Sequence, residues 1–161
     1  MDDPFDRLRP PPATPEDEVC PCGSGIPIKL MCALTYNPVH CMRCNLERSP
    51  ARLGLDASLV EEVSYWRNIY DGIYTMWLDS GEYEAWARAQ LVDLSSPVNR
   101  RGRALQAKLD RLTRSYYWLF EDSSADDYTP LAACPSCGRP WEPCQHRPGQ
   151  LVCELCSLVT A

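Results

Sequence analysis

A small α+β protein, with a central α-helical hairpin flanked by two cysteine-rich β-hairpin modules, is the fold class this sequence predicts. Three observations predict it. Ten cysteines in 161 residues fall into two clusters, at 20–44 and 134–156. The interval between them has no cysteine and carries apolar residues at helical spacing. Each cluster spans roughly 30 residues, too few to bury a core that holds itself together.

Residues 1–18 come first, a proline-rich and charged stretch with few large apolar groups, which reads as a disordered tail. Residues 19–50 form the first cysteine module. In the helical domain, 55–122, Leu59, Val63, Trp66, Tyr70, Ile73 and Trp77 alternate steps of four and three, which aligns them on one helix face. Ser58 with Glu61 resembles a capping box at its start, and Gly81 suits its end. A short helix over roughly 82–92 follows. Ser96 then caps a third helix with Pro97 in its first position, and Leu105, Leu109, Leu112, Tyr116 and Phe120 form its apolar stripe. Residues 123–130 are an acidic linker, and 131–161 form the second cysteine module.

The second module holds the sharper motif. Cys134 and Cys137 make one Cys-x-x-Cys turn, and Cys153 and Cys156 make another. Each turn brings two thiolates together, and two facing turns complete a tetrahedral zinc site, the plan of a zinc ribbon. The first module repeats the plan more loosely with Cys20, Cys22, Cys41 and Cys44, its first pair one residue tighter. Two Zn2+ ions per chain are therefore expected. Cys32 and His40 in the first module, and Cys144 and His146 in the second, are alternative ligands. Cys32 lies nine residues before Cys41, as Cys144 does before Cys153, so the modules read as an internal repeat. If both intervals are hairpins, each extra cysteine faces the third ligand. Its bland role is that of a small buried apolar group.

No stretch is apolar enough to span a membrane, and the N-terminus has no basic start followed by an apolar run. A cytoplasmic protein is expected, in which close cysteine pairs bind metal rather than form disulfides. Two closed four-thiolate sets leave no open coordination position, and no Ser-His-Asp or Cys-His arrangement is evident, so the expectation is a non-enzyme with no small-molecule substrate. Paired thiols leave a zinc-thiol redox sensor as a third reading.

The formal charge of −6 argues against long-range attraction to phosphate. Yet Arg100, Arg101, Arg103, Lys108, Arg111 and Arg114 project within about 160° on the third helix, a candidate phosphate-binding stripe. Protein and nucleic acid both remain open as partners.

The segment "GRALQAKLDRLTRSYYWLF", followed by "ACPSCGRPW" and "LVCELCSLVT", resembles a family of bacterial zinc-ribbon proteins of uncharacterised role that are suggested to bind nucleic acid. The resemblance covers residues 97–161, and "SGEYEAWARAQLVDLSSPVNRRG" extends it toward the N-terminus. It implies that Cys134, Cys137, Cys153 and Cys156 are zinc ligands. It implies no biochemical activity.

Overall fold

Val63, Trp66, Tyr70 and Ile73 are the buried residues of the first helix, α1 (Ala57–Asp79), as the four-three spacing requires. The computed structural model describes residues 10–32 and 36–160 of the chain. The N-cap of α1 is Asp56, whose carboxylate accepts from the Leu59 amide at 2.8 Å. The helix thus begins ahead of the Ser58 cap expected from sequence. Gly81, at φ +66°, turns the chain away from its end. Two further helices follow, α2 (Glu84–Val92) and α3 (Pro97–Leu109). The Ser96 side chain accepts from the Asn99 amide and Pro97 fills the first turn, as expected.

The third helix is much shorter than its apolar spacing suggested. It stops at Leu109. After a turn, Ser115–Trp118 is a β-strand, β3. Tyr116 and Phe120 therefore leave the helical stripe, and Leu112 is about half exposed. Alternation replaces helical periodicity here. Tyr117 joins the large cluster under the helices, while Tyr116 joins a small cluster on the other sheet face.

This strand changes the architecture. The first cysteine module supplies β1 (Ile28–Leu30) and β2 (Val39–Cys41); the second supplies β4 (Glu142–Pro143), β5 (Leu151–Cys153) and β6 (Leu158–Thr160). All belong to one mixed sheet in the order β2-β1-β3-β6-β5-β4. β3 runs parallel to β1, with Lys29 opposite Tyr116, and parallel to β6, with Tyr117 opposite Leu158. The expected pair of separate modules around a helical middle is thus corrected. The middle contributes the strand that joins them.

All three helices cover one face of the sheet. Ile28, Leu30, Tyr117 and Leu158 meet Trp66, Tyr70, Leu91, Leu105 and Leu109 there. Trp66 stands edge-on to Tyr117 with ring centroids 6.1 Å apart, and its indole N–H donates to the Val98 carbonyl at 3.0 Å. Burying such aromatics contributes roughly 2–3 kcal/mol each. Beyond β3, buried Asp122 accepts from Arg88 Nε at 2.9 Å and from Trp77 Nε1 at 3.3 Å, which ties α2 and α1 to the strand's exit.

Residues 1–9 of the expected disordered tail lie outside the described residues. From Pro10 onward the segment is placed. Thr14 Oγ1 donates to Glu47 at 2.7 Å, and Glu16–Glu18 form a 3-10 turn.

Candidate metal centres

Each cysteine module ends its second strand in the same way. β2 finishes at Cys41 and β5 at Cys153, and the chain turns through three residues to Cys44 and Cys156. The residue after each is left-handed, Asn45 at φ +66° and Ser157 at φ +53°. Neither is glycine, so both turns hold a conformation that side chains disfavour. The chain then pairs back on the strand it left. His40 lies opposite Glu47, and Val152 lies opposite Val159. These positions are separated by the same interval as Cys41 and Cys153. The internal repeat is therefore in strict register over this half of each module.

The other half of each site comes from the preceding loop. Cys134 and Cys137 form a knuckle closed by Gly138 at φ +73°, whose amide donates to the Cys134 carbonyl at 2.8 Å. Cys20 and Cys22 lie on the looser loop before β1, tied at the Cys20 amide to the Glu47 carbonyl. The outcome is two groups, Cys20 with Cys22, Cys41 and Cys44, and Cys134 with Cys137, Cys153 and Cys156. Within each group the four sulfurs lie within 4.8 Å of one another.

The donor chemistry suits a metal ion. Cys137 Sγ and Cys153 Sγ are 3.6 Å apart. A disulfide needs about 2.05 Å. Two thiolates on one tetrahedral ion with bonds of about 2.3 Å lie roughly 3.8 Å apart. All ten cysteines are unbridged. Four converging thiols also titrate unevenly. Burial opposes ionisation of Cys20, but the Arg48 guanidinium and neighbouring thiols bring it down to about 7. The Arg139 amide does the same for Cys137, also to about 7. Burial pushes Cys44 and Cys153 up to about 12.

The first centre has a partner that sequence did not single out. Arg48 is buried. It donates through Nη1 to Cys20 Sγ at 3.0 Å and to the Cys22 carbonyl at 2.6 Å, and through Nη2 to the Gly23 carbonyl at 2.6 Å. It also carries a charge opposite to the thiolates. Its only sequence signal is its place four residues past Cys44.

The alternative ligands lie elsewhere. His40 Nδ1 is 3.0 Å from the Asn45 carbonyl, and burial holds the ring below its usual pKa. Cys32 packs into the large core and donates weakly to the Arg67 carbonyl at 3.9 Å. Burial raises its thiol to about 12. Cys144 packs beside the small cluster of Met42, Tyr116, Val152 and Val159. His146, half-buried, belongs to neither four-sulfur group. The expected pairing of each extra cysteine with the third ligand is also corrected. Cys41 lies opposite Ile28, and the Cys144 amide bonds to the Gln150 carbonyl. The equal offsets in sequence place the two extra thiols on opposite faces of the sheet.

The basic stripe is broken up. Arg111 and Arg114 fall beyond the end of α3. Arg114 donates to Asp110 at 3.1 Å, to Glu154 at 2.9 Å and to Ser157 at 2.9 Å, so it braces the second knuckle. Lys108 pairs with Glu62 at 2.5 Å, and Arg101 lies over the Tyr65 ring. Arg100 and Arg111 are exposed, and Arg103 is half-buried.

Comparison with protein-family models, curated proteins and solved structures returned no significant match. The family resemblance of residues 97–161 gains no support there. What stands is two four-cysteine groups that could hold metal ions. Among the described residues, no helix is long and apolar enough to cross a membrane.

Proposed function

We propose that this chain is a non-enzymatic recognition protein whose sheet is braced at both ends by structural zinc. The observation that carries the reading is the pair of converging four-cysteine groups, each with all four donors supplied by thiols. Zinc is the metal because tetrahedral all-thiolate sets favour it, and four protein ligands leave no position for a reacting water. Zinc supplies folding energy at such a site. The chain's own residues position the sulfurs: the left-handed Asn45 and Ser157 shape the turns, and Arg48 offsets charge at the first centre. Metal analysis of protein purified without chelator tests this, with two equivalents per chain expected. Cystines in place of metal refute it.

Nucleic acid is the first partner reading, on a narrower surface than the helical stripe. Arg100, Arg101, Arg103 and Arg111 remain for phosphate once Lys108 and Arg114 are taken up by carboxylates. A mobility-shift assay across a salt series tests it. Binding that weakens steeply with salt and is lost on reversing Arg100 and Arg111 supports it. No shift at low salt turns the reading to a protein adaptor, which the exposed Tyr83 and Trp86 around α2 favour.

A further inference from the structure

The sheet face away from the helices is partly roofed by the loop between β4 and β5. A cavity of about 350 Å³ lies there, lined by Lys29, Met31, Asn45, Trp118, Arg147, Pro148, Gly149 and Gln150. Asn45 comes from the first metal knuckle, Lys29 from β1, Trp118 from β3 and Arg147 with Gln150 from the second module. Joining the modules through β3 is what creates it.

Its polar groups are unmatched. Lys29 is 2% exposed, and among the described residues it has no hydrogen-bond or ion-pair partner. The charged or titratable groups that bear on it are Arg147 and the Cys144 and Cys41 thiols. Its strand neighbour His40 is kept below its usual pKa by burial. Glu47, opposite His40, acts on that ring and accepts from Thr14 and Asn37, while Glu154 accepts from Arg114 and from Tyr116, the β3 residue opposite Lys29. Asn45 Oδ1 and Gln150 Oε1 are buried without partners. Lys29 is largely buried, with its ammonium opening on the cleft, and the two orphaned acceptors are sealed; such groups cost stability unless something else satisfies them.

We propose that this cleft binds a nucleotide unit, with its phosphate between Lys29 and Arg147 and its base along Trp118. Two cations without a carboxylate select an anion. An indole wall favours a planar ring. The volume falls at the lower end for small-ligand sites, roughly 300–1,000 Å³. The unit can come from a free mononucleotide or from a single strand of nucleic acid. The inference does not depend on the arginines around α3.

Calorimetry on the metal-loaded full chain tests it, with adenosine monophosphate, adenosine, inorganic phosphate and a short single-stranded oligonucleotide as probes. The monophosphate should bind one to one, and adenosine or phosphate alone at least about tenfold more weakly. Lys29→Met and, separately, the loop variant Arg147→Gln should each weaken it by at least about tenfold while metal content stays at the wild-type value. An oligonucleotide with the same sensitivity to both substitutions assigns the unit to nucleic acid; indifference to the oligonucleotide assigns it to free nucleotide. Phosphate binding as tightly as the monophosphate overturns the base contacts. No binding of any probe, or affinity unchanged in both variants, overturns the site and leaves Lys29 as a counter-charge to the thiolate centres.

Discussion

Arg48 Nη1 donates to Cys20 Sγ at 3.0 Å, and the same guanidinium holds the carbonyls of Cys22 and Gly23. One buried cation therefore fixes the loop that carries two of the first centre's four sulfurs. Arg48→Met should lower metal affinity at that centre by about 10–100-fold, the usual cost of losing a group that orients a ligand. Among the described residues no arginine side chain bonds a sulfur of the second centre, which should be unaffected. Competition with a chromophoric chelator would resolve two equal classes of site in the wild type and one weakened class in the variant. Equal weakening of both centres would contradict this assignment.

Chelation should unfold the helices together with the strands. The central strand pairs on each side with a strand of one cysteine module, and Tyr117 of that strand is packed against Trp66 of α1. Neither module can melt without exposing the helical core. Helical circular dichroism and tryptophan fluorescence should fall in one transition as metal is withdrawn. A surviving helical signal after both ions are gone would mean that the sheet is not the coupling element.

Gly102 is where the helical layer comes closest to β3. A Cβ there would lie 2.4 Å from the Tyr117 ring and 2.8 Å from Trp66 Nε1. Both rings are buried, and each is held by a hydrogen bond, Tyr117 to Asn99 and Trp66 to Val98. They cannot swing aside cheaply. Gly102→Ala should destabilise the protein by about 1–3 kcal/mol despite alanine's better helix propensity. A denaturation midpoint equal to or above wild type would refute the close contact.

The two four-cysteine groups were legible because close cysteine pairs are local motifs: short spacing brings the two sulfurs of each pair together. The α1 core face was legible for the same reason, since Val63, Trp66, Tyr70 and Ile73 repeat with the helix. β3 was hidden because Leu105, Leu109, Leu112, Tyr116 and Phe120 continue a helical spacing into a strand. The run Tyr116, Tyr117, Trp118 carried the competing signal, since aromatic residues favour a pleated surface. Its parallel partners lie far away in sequence, and no local pattern announces them. Lys29 was invisible for a related reason. A charged residue between Ile28 and Leu30 reads as the solvent face of a strand until the β4–β5 loop is seen to roof it.

Cys32 and Cys144 should differ in reactivity although they occupy the same offset in the repeat. Cys32 is 1% exposed, and burial lifts its thiol to about 12. Thiolate is the reactive form, so Cys32 should resist alkylation at pH 8 in the metal-loaded protein. Cys144 is only half-buried and should be modified first. Cys32→Ala and Cys144→Ala should both retain two metal equivalents, whereas Cys41→Ala should lose one. Mass spectrometry of alkylated peptides, with metal analysis of the three variants, checks both statements. A lost equivalent in Cys32→Ala would place it among the ligands.

Lys29 gives the protein a distinctive dependence on pH. Burial lowers its pKa from 10.5 to about 8, with Arg147 adding to the effect. The folded state therefore holds this proton less tightly than the unfolded chain does. Below about pH 8 both states are protonated and the full cost of the buried charge is present; between about 8 and 10.5 the folded state sheds the proton first, so its relative stability rises with pH. At 1.36 kcal/mol per pKa unit that lowering corresponds to a cost of about 3 kcal/mol, with the opposing effect of the Cys144 and Cys41 thiols already included. Lys29→Met removes the charge but keeps most of the volume. It should be more stable than wild type at pH 7, with the difference shrinking toward zero by about pH 10.5. Denaturant melts at several pH values measure this directly. A variant less stable than wild type at pH 7 would mean that the ammonium is already compensated within the fold, and the cleft would then have no unmet charge to offer an anion.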